Sequence, residues 1–231
     1  MKLKRLTVRA LAGMVFAVLA IVPNNLVRLS PVAVAQAGLP ASEVVWQHVG
    51  RVYLNPNTGK AVGAGYLVHI NGLPSSLFNG APSEATAYFT FSTDVLQLTP
   101  RPNNGDVALS LVSAGTFNVY YNAVPHGDWN NPSSFSSGQL VATFRREESL
   151  FPQMGAFSFH SLSEVLTLSR KFTYNGQTYN FNNIAPNGIT FAQFVSNTPL
   201  SGVAGYPLAF ALAGTTMAVG ELKKGNGGTR Q

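Results

Sequence analysis

Three side chains able to do acid–base or ionic chemistry, His48, Arg146 and Glu164, share the alternation parity of apolar strand faces. Val44, Trp46, Val52 and Leu54 have the parity of His48; Leu140, Ala142 and Phe144 have that of Arg146; Leu166 and Leu168 have that of Glu164. Side chains alternate across a strand, so each set belongs to one face. If these faces line one interior, the trio enters it as a ligand floor, or as an acid–base pair beside a positive clamp. A charge buried there is tolerable only with a partner. The competing reading makes His48 a core residue satisfied by one hydrogen bond and leaves Arg146 and Glu164 at strand ends, within reach of water. Phe157 and Phe159 are odd where Leu166 and Leu168 are even, which calls for a turn or bulge between them, with Glu164 in it. The adjacent Glu147 and Glu148 would point to opposite faces of a strand and are read as a turn.

A second group of candidates lies in the sixteen residues from Ala123 to Gly138, which contain HGDWNNPSSF and carry no strand or helix period. Loops of that length are usually functional or disordered, and Trp129 and Phe135 argue against disorder, since burying each would stabilise by about 1.5–3 kcal/mol. The loop is therefore expected to fold over one end of the domain. As a lid it would stack Trp129 on a ligand and offer His126, Asp128 or Asn130 to its polar groups. As a plug it would cap the core, with Asp128 and the Asn residues bonding their own backbone. His126 and Asp128 lack the third ligand a zinc site needs, and one carboxylate is too few for a calcium loop.

Catalytic templates are missing: there is no Gly-x-Ser-x-Gly elbow, no His-Glu-x-x-His and no Gly-rich phosphate loop. The chain has no cysteine, so disulfides, thiolate nucleophiles and Cys-ligated metals are excluded. No cofactor and no metal is expected.

The formal charge of +6 points toward nucleic acid until its source is located. Lys2, Lys4, Arg5 and Arg9 precede an apolar run from Ala10 to Val22, and Ala35-Gln36-Ala37 offers a small-x-small cleavage site. Thirteen apolar residues are too few for a spanning helix. Residues 1–37 thus read as a signal peptide cleaved after Ala37, with an uncleaved anchor as the alternative because of Arg28 and the long stretch from Pro23 to Val34. The remaining chain carries ten basic and nine acidic residues, a net +1. That is no basic stripe for phosphates, and nucleic acid is set aside. Export to the periplasm or beyond is expected, with no membrane span after cleavage. No Asn-x-Ser/Thr acceptor with a permitted middle residue occurs, in keeping with a bacterial exported protein.

The elements that must hold these candidates read as strands. Val44 to Leu54 alternates, NPNTG turns it into Ala61 to Ile70, and about ten such segments follow at regular spacing. Among them are Gln139 to Arg146, Ala156 to His160, Val165 to Tyr174 and Ile189 to Val195, with Pro207 to Val219 as a buried strand. The pattern predicts an all-β, single-domain antiparallel β-barrel over residues 38–222, with a β-sandwich as alternative and a loose tail at 223–231. Closure is favoured because it removes edges that so few charges could not guard.

The leading expectation for function is a non-catalytic exported protein that binds a small apolar or aromatic ligand, or a surface partner. Trp46, Trp129 and Phe135 would be walls and His48 or Arg146 the polar anchor. The alternatives are a barrel-type lyase, isomerase or cyclase acting on a small apolar substrate, and a structural or adhesive envelope protein.

Overall fold

Alternating side chains and turn residues divide the chain into antiparallel strands, seen in a computed structural model that describes residues 38–73, 76–104, 107–112 and 115–220. The signal segment and the tail expected from sequence lie outside the described residues. The first strands are β1 (Val44–Asn55), β2 (Lys60–Ile70), β3 (Phe89–Thr93), β4 (Leu96–Asn104), β5 (Val107–Val112) and β6 (Thr116–Tyr121). They are followed by β7 (Gln139–Met154), β8 (Phe157–Ser169), β9 (Phe172–Tyr174), β10 (Gln177–Tyr179), β11 (Ile189–Val203) and β12 (Tyr206–Ala218). Short 3-10 turns occupy Pro132–Ser136 and Phe181–Asn183. Among the described residues no helix is long and apolar enough to cross a membrane.

Ten of the strands form one antiparallel sheet that comes round on itself. β1 pairs with β12, β12 with β11, β11 with β8 and β8 with β7. The first half of β7 then pairs with β6, β6 with β3, β3 with β2, and β2 returns to β1. The β4–β5 hairpin bridges the start of β2 to the second half of β7. The sheet is thus an all-β, near-closed ring of strands, and β9 with β10 forms a separate hairpin.

Inward alternation fills one level of this ring with aromatic side chains. Trp46 stacks on Phe117 at a centroid distance of 5.8 Å and meets Phe144, Phe181 and Phe191 edge-on. Phe91 stacks on Phe117 at 4.7 Å. The close approach of Phe91 requires glycine on the facing strands: a Cβ at Gly65 would lie 2.8 Å from its ring and 2.2 Å from the Val49 carbonyl oxygen. Phe172, Tyr174, Tyr179 and Phe181 carry the aromatic packing on through the segment between β8 and β11.

Two local expectations are corrected. β7 does not turn at Glu147 and Glu148 but runs on to Met154, with a register irregularity between Arg146 and Glu148. The extra residue, Glu147, is pushed outward and meets Arg145 at 2.6 Å on the surface. β8 is continuous through Glu164, with no break between Phe159 and Leu166. Its even residues face inward, and Phe157 and Phe159 face out, Phe157 being 53% exposed. No irregularity is therefore needed between Phe159 and Leu166; the extra residue of β8 in its register with β7 is Thr167, beyond Leu166.

Gly65→Ala is expected to destabilise the fold by about 1–3 kcal/mol, the usual cost of overpacking, because its new methyl meets backbone on one side and Phe91 on the other. Chemical denaturation would check it, and an unchanged midpoint would show that the Phe91 contact does not constrain the sheet.

Candidate functional site

The ladder registers carry polar side chains to one stretch of the interior. Arg146 on β7 is paired directly with Glu164 on β8, and Glu164 with Ile189 on β11. Two residues along, Leu162 faces Phe191, which faces Thr216 on β12, which faces Trp46 on β1. One step further, His160, Gln193, Gly214 and His48 stand in register across β8, β11, β12 and β1. His48, Arg146, Glu164 and Trp46 are all buried, while His160 and Gln193 are half-buried.

Hydrogen bonds fix the roles of these groups. Arg146 Nε donates to Glu164 Oε1 at 3.1 Å, in a pair whose side chains are 5% and 0% exposed. Gln193 Oε1 can only accept, so His48 Nε2 donates to it at 2.9 Å and His48 Nδ1 keeps its lone pair. Gln193 Nε2 in turn donates to His160 Nδ1 at 3.4 Å. The His48 ring also sits edge-on to Phe91 and Phe191 at 5.7 and 5.5 Å. Gly188, at φ +102°, lets the β11 approach pass against the Glu164 backbone, where a Cβ would lie 2.2 Å from its carbonyl oxygen.

Five buried interior atoms have no hydrogen-bond partner among the described residues: Trp46 Nε1, His48 Nδ1, Arg146 Nη1, Glu164 Oε2 and Thr216 Oγ1. They comprise donors from indole and guanidinium, acceptors from imidazole and carboxylate, and one hydroxyl. Each would cost about 1–3 kcal/mol if it stayed unmatched, a sum comparable to much of a domain's stability of roughly 5–15 kcal/mol.

Burial governs the protonation states. It pushes His48 down to about 4, against the opposing Gln193 hydrogen bond, and His160 down to about 3 with help from the positive Arg146. Burial pushes Glu164 up to about 7, opposed by the charge and hydrogen bond of Arg146. The interior therefore holds two neutral imidazoles, a fixed cation and a carboxyl near its titration point at neutral pH.

The loop from Ala123 to Gly138 is elsewhere. It does not cover an end of the strand ring but lies on the outer face of β1, β2 and β3. Phe135 is buried there with Tyr53 and Ala64, and Trp129 and Tyr66 pack against them. Tyr53 donates to the Trp129 carbonyl at 2.8 Å, and the Arg51 guanidinium sits 4.7 Å over the Trp129 ring. Arg51 and Tyr53 have the parity opposite to Trp46 and His48, so Trp129 and Phe135 cannot wall the same site as Trp46. Asp128 serves its own turn, its Oδ1 accepting from the Asn130 amide at 2.8 Å. Asp128, Asn130 and His126 are exposed.

Of the nine residues singled out by sequence, four are thus brought together inside and five are on the loop outside. His160, Gln193 and Thr216 were missed. The odd parity of Phe157 and Phe159 had assigned the inward face of β8 to the wrong residues, and Gln193 stands between two apolar sets, Phe191 with Val195 and Ala192 with Phe194, that do not choose a face.

Scans against protein-family models, curated proteins and solved structures found no match to this chain.

Acid should weaken the fold through the two histidines. Both are depressed from 6.5, so their contribution is complete above that pH and is lost as pH falls toward 4 and 3. Glu164 runs the other way: its contribution is complete below 4.5 and is lost as pH rises through about 7. Between 4.5 and 6.5 the unfolded chain gains protons on two imidazoles and the folded chain on one carboxyl, so stability falls with acid. The shift of His48 from 6.5 to about 4 amounts to something on the order of 3 kcal/mol. Thermal unfolding from pH 7 to 4 should show this loss, with a shallower slope in His48→Gln; parallel profiles would locate the acid sensitivity elsewhere.

Proposed function

We propose that this is an exported β-barrel, cleaved after Ala37, that holds a small ligand in its interior. The ligand has an apolar or aromatic body and a polar end seated on Arg146, Glu164 and His48. The observation that carries this reading is the set of five buried interior atoms without partners, both donors and acceptors, beside a wall of aromatic rings. Such a set matches a polar end that both donates and accepts. Access is supported by the half-burial of His160 and Gln193, which face inward beside the fully buried His48. Trp129 and Phe135, on the outer face, have no part in it.

A second reading is favoured by Glu164. A buried carboxyl raised to about 7 is poised for general acid–base work at neutral pH, and the fixed Arg146 would steady negative charge on a reacting oxygen. This is the lyase, isomerase or cyclase class, and it uses the same interior.

The ion pair itself can be tested for a structural role. Glu164→Gln strands a buried guanidinium and should cost about 3–5 kcal/mol, whereas Arg146→Met with Glu164→Leu should be near neutral or stabilising. A double variant as unstable as the single one, measured by denaturation, would make the pair a structural requirement.

Native mass spectrometry on protein purified without denaturation should show a reproducible extra mass that unfolding removes and that the double variant lacks. A bare mass for the natively purified wild type, unchanged on unfolding, would overturn the ligand reading. If the bound species is recovered chemically altered after incubation with wild type but not with Glu164→Gln, the enzyme reading displaces the carrier reading.

A further inference from the structure

On the outer surface, His126 and Ser137 meet at the rim of a groove of about 290 Å³ lined by Tyr121, Asn122, Val124, Gly138 and Gln139 as well as by the two themselves. His126 Nε2 and Ser137 Oγ are 2.6 Å apart, and His126 Nδ1 lies 2.8 Å from the Val124 carbonyl oxygen. A carbonyl can only accept, so in the neutral ring Nδ1 carries the proton and the lone pair of Nε2 faces Ser137 Oγ. This is a nucleophile beside a base that a third group orients. The Ser137 hydroxyl donates to the Ser134 carbonyl oxygen at 2.7 Å, so its one hydrogen must turn from that carbonyl to Nε2 before Oγ can attack. When the imidazole takes the hydroxyl proton, Nδ1–H still donates to Val124 and Nε2–H points at Oγ, so the protonated ring keeps both contacts.

The turn beneath the pair is packed and hydrogen-bonded to the sheet. Ser137 ends the 3-10 turn Pro132–Ser136, whose Phe135 is buried under Trp129 at a centroid distance of 4.8 Å. Asn122 Nδ2 donates to Thr90 Oγ1 at 2.9 Å, and Thr90 Oγ1 donates to the Phe135 carbonyl at 2.7 Å, both inside the protein. On the other side of the turn, the Asp128 amide donates to Ser134 Oγ at 2.8 Å. The aromatic anchor and the Thr90 relay thus seat the turn that carries the hydroxyl, and the Val124 carbonyl orients the imidazole, while both side chains remain exposed.

We propose that Ser137 and His126 are a nucleophile and its general base, acting on small carboxylic esters that enter this groove. Ser137 Oγ attacks the ester carbonyl carbon and its proton passes to His126 Nε2 as the new C–O bond forms. Collapse of the adduct breaks the bond to the alkoxide, which leaves with that proton as an alcohol. Water, deprotonated by the same nitrogen, then attacks the acyl-Ser137 carbonyl, releasing a carboxylic acid and restoring the hydroxyl. The site is separate from the strand interior and stands whether or not a ligand binds there.

The test is labelling of the folded full chain by a fluorophosphonate probe, followed by peptide mapping, with Ser136→Ala, Ser137→Ala and His126→Gln compared under matched near-ultraviolet circular dichroism. The expected result is a single adduct on Ser137, unchanged in Ser136→Ala, absent in Ser137→Ala and slowed about 100-fold or more in His126→Gln, the low end of a general base's contribution. Labelling that fails on the folded wild type, that spreads equally over the neighbouring serines, or that is as fast in folded His126→Gln would overturn the proposal. A short-chain ester should be turned over by wild type with an acyl-enzyme mass on Ser137; its absence while the probe labels would limit the pair to phosphonylation and overturn the ester assignment.

Discussion

The return of β2 to β1 is the constraint from which the interior follows. Once that ladder closes the path β1–β12–β11–β8–β7–β6–β3–β2, each inward side chain is enclosed by the others, and it must find apolar contact or a polar partner there. Nothing inside is negotiable at the level of one strand. Phe91 fits because Gly50 and Gly65 leave its ring room on two adjoining strands, and Phe117 fits because Phe91, Trp46 and Phe191 surround it. The same closure buries Arg146, Glu164 and His48 and leaves Gln193, bonded to His48, half-buried.

The alternation of a strand also means that one element can serve two environments. Trp46 and His48 on β1 face the interior, while Arg51 and Tyr53 on the same strand carry the loop that contains Trp129 and Phe135. The outer cluster is in effect a second small core, resting on the sheet's back and fixed by the Thr90 and Tyr53 hydroxyls. It explains why a sixteen-residue segment without periodicity is ordered: its backbone bonds to side chains of the sheet and its rings are sheltered by them.

Much of this is legible in the sequence. Period-2 segments and Asn/Gly turns are local signals, so the all-β class and most strand positions could be read from them, and parity carried Trp46, His48, Arg146 and Glu164 to one side. What could not be read was set by neighbours. The bulge at Glu147 is a property of the β7–β8 ladder, and the outward Phe157 and Phe159 give β8 a false apolar face that hides the inward His160. The loop was misplaced for a related reason. Apolar content in Trp129 and Phe135 predicts burial but not which face supplies it, and the Tyr53 and Tyr66 side chains that do so lie more than sixty residues earlier in the chain.

The interior ion pair is hard to explain as a device for stability. Burial raises Glu164 even with Arg146 against it, so desolvation outweighs the attraction that the contact returns. The pair also leaves Arg146 Nη1 and Glu164 Oε2 without partners among the described residues, where a matched apolar pair would fill the space at no such cost. A fold that can pack Trp46, Phe117, Phe144 and Phe191 ring against ring does not need a charge pair to complete its core. The free donor and acceptor that the pair presents are what an apolar substitute would remove. Their chemistry is what the proposed ligand reading draws on, and packing alone does not call for it.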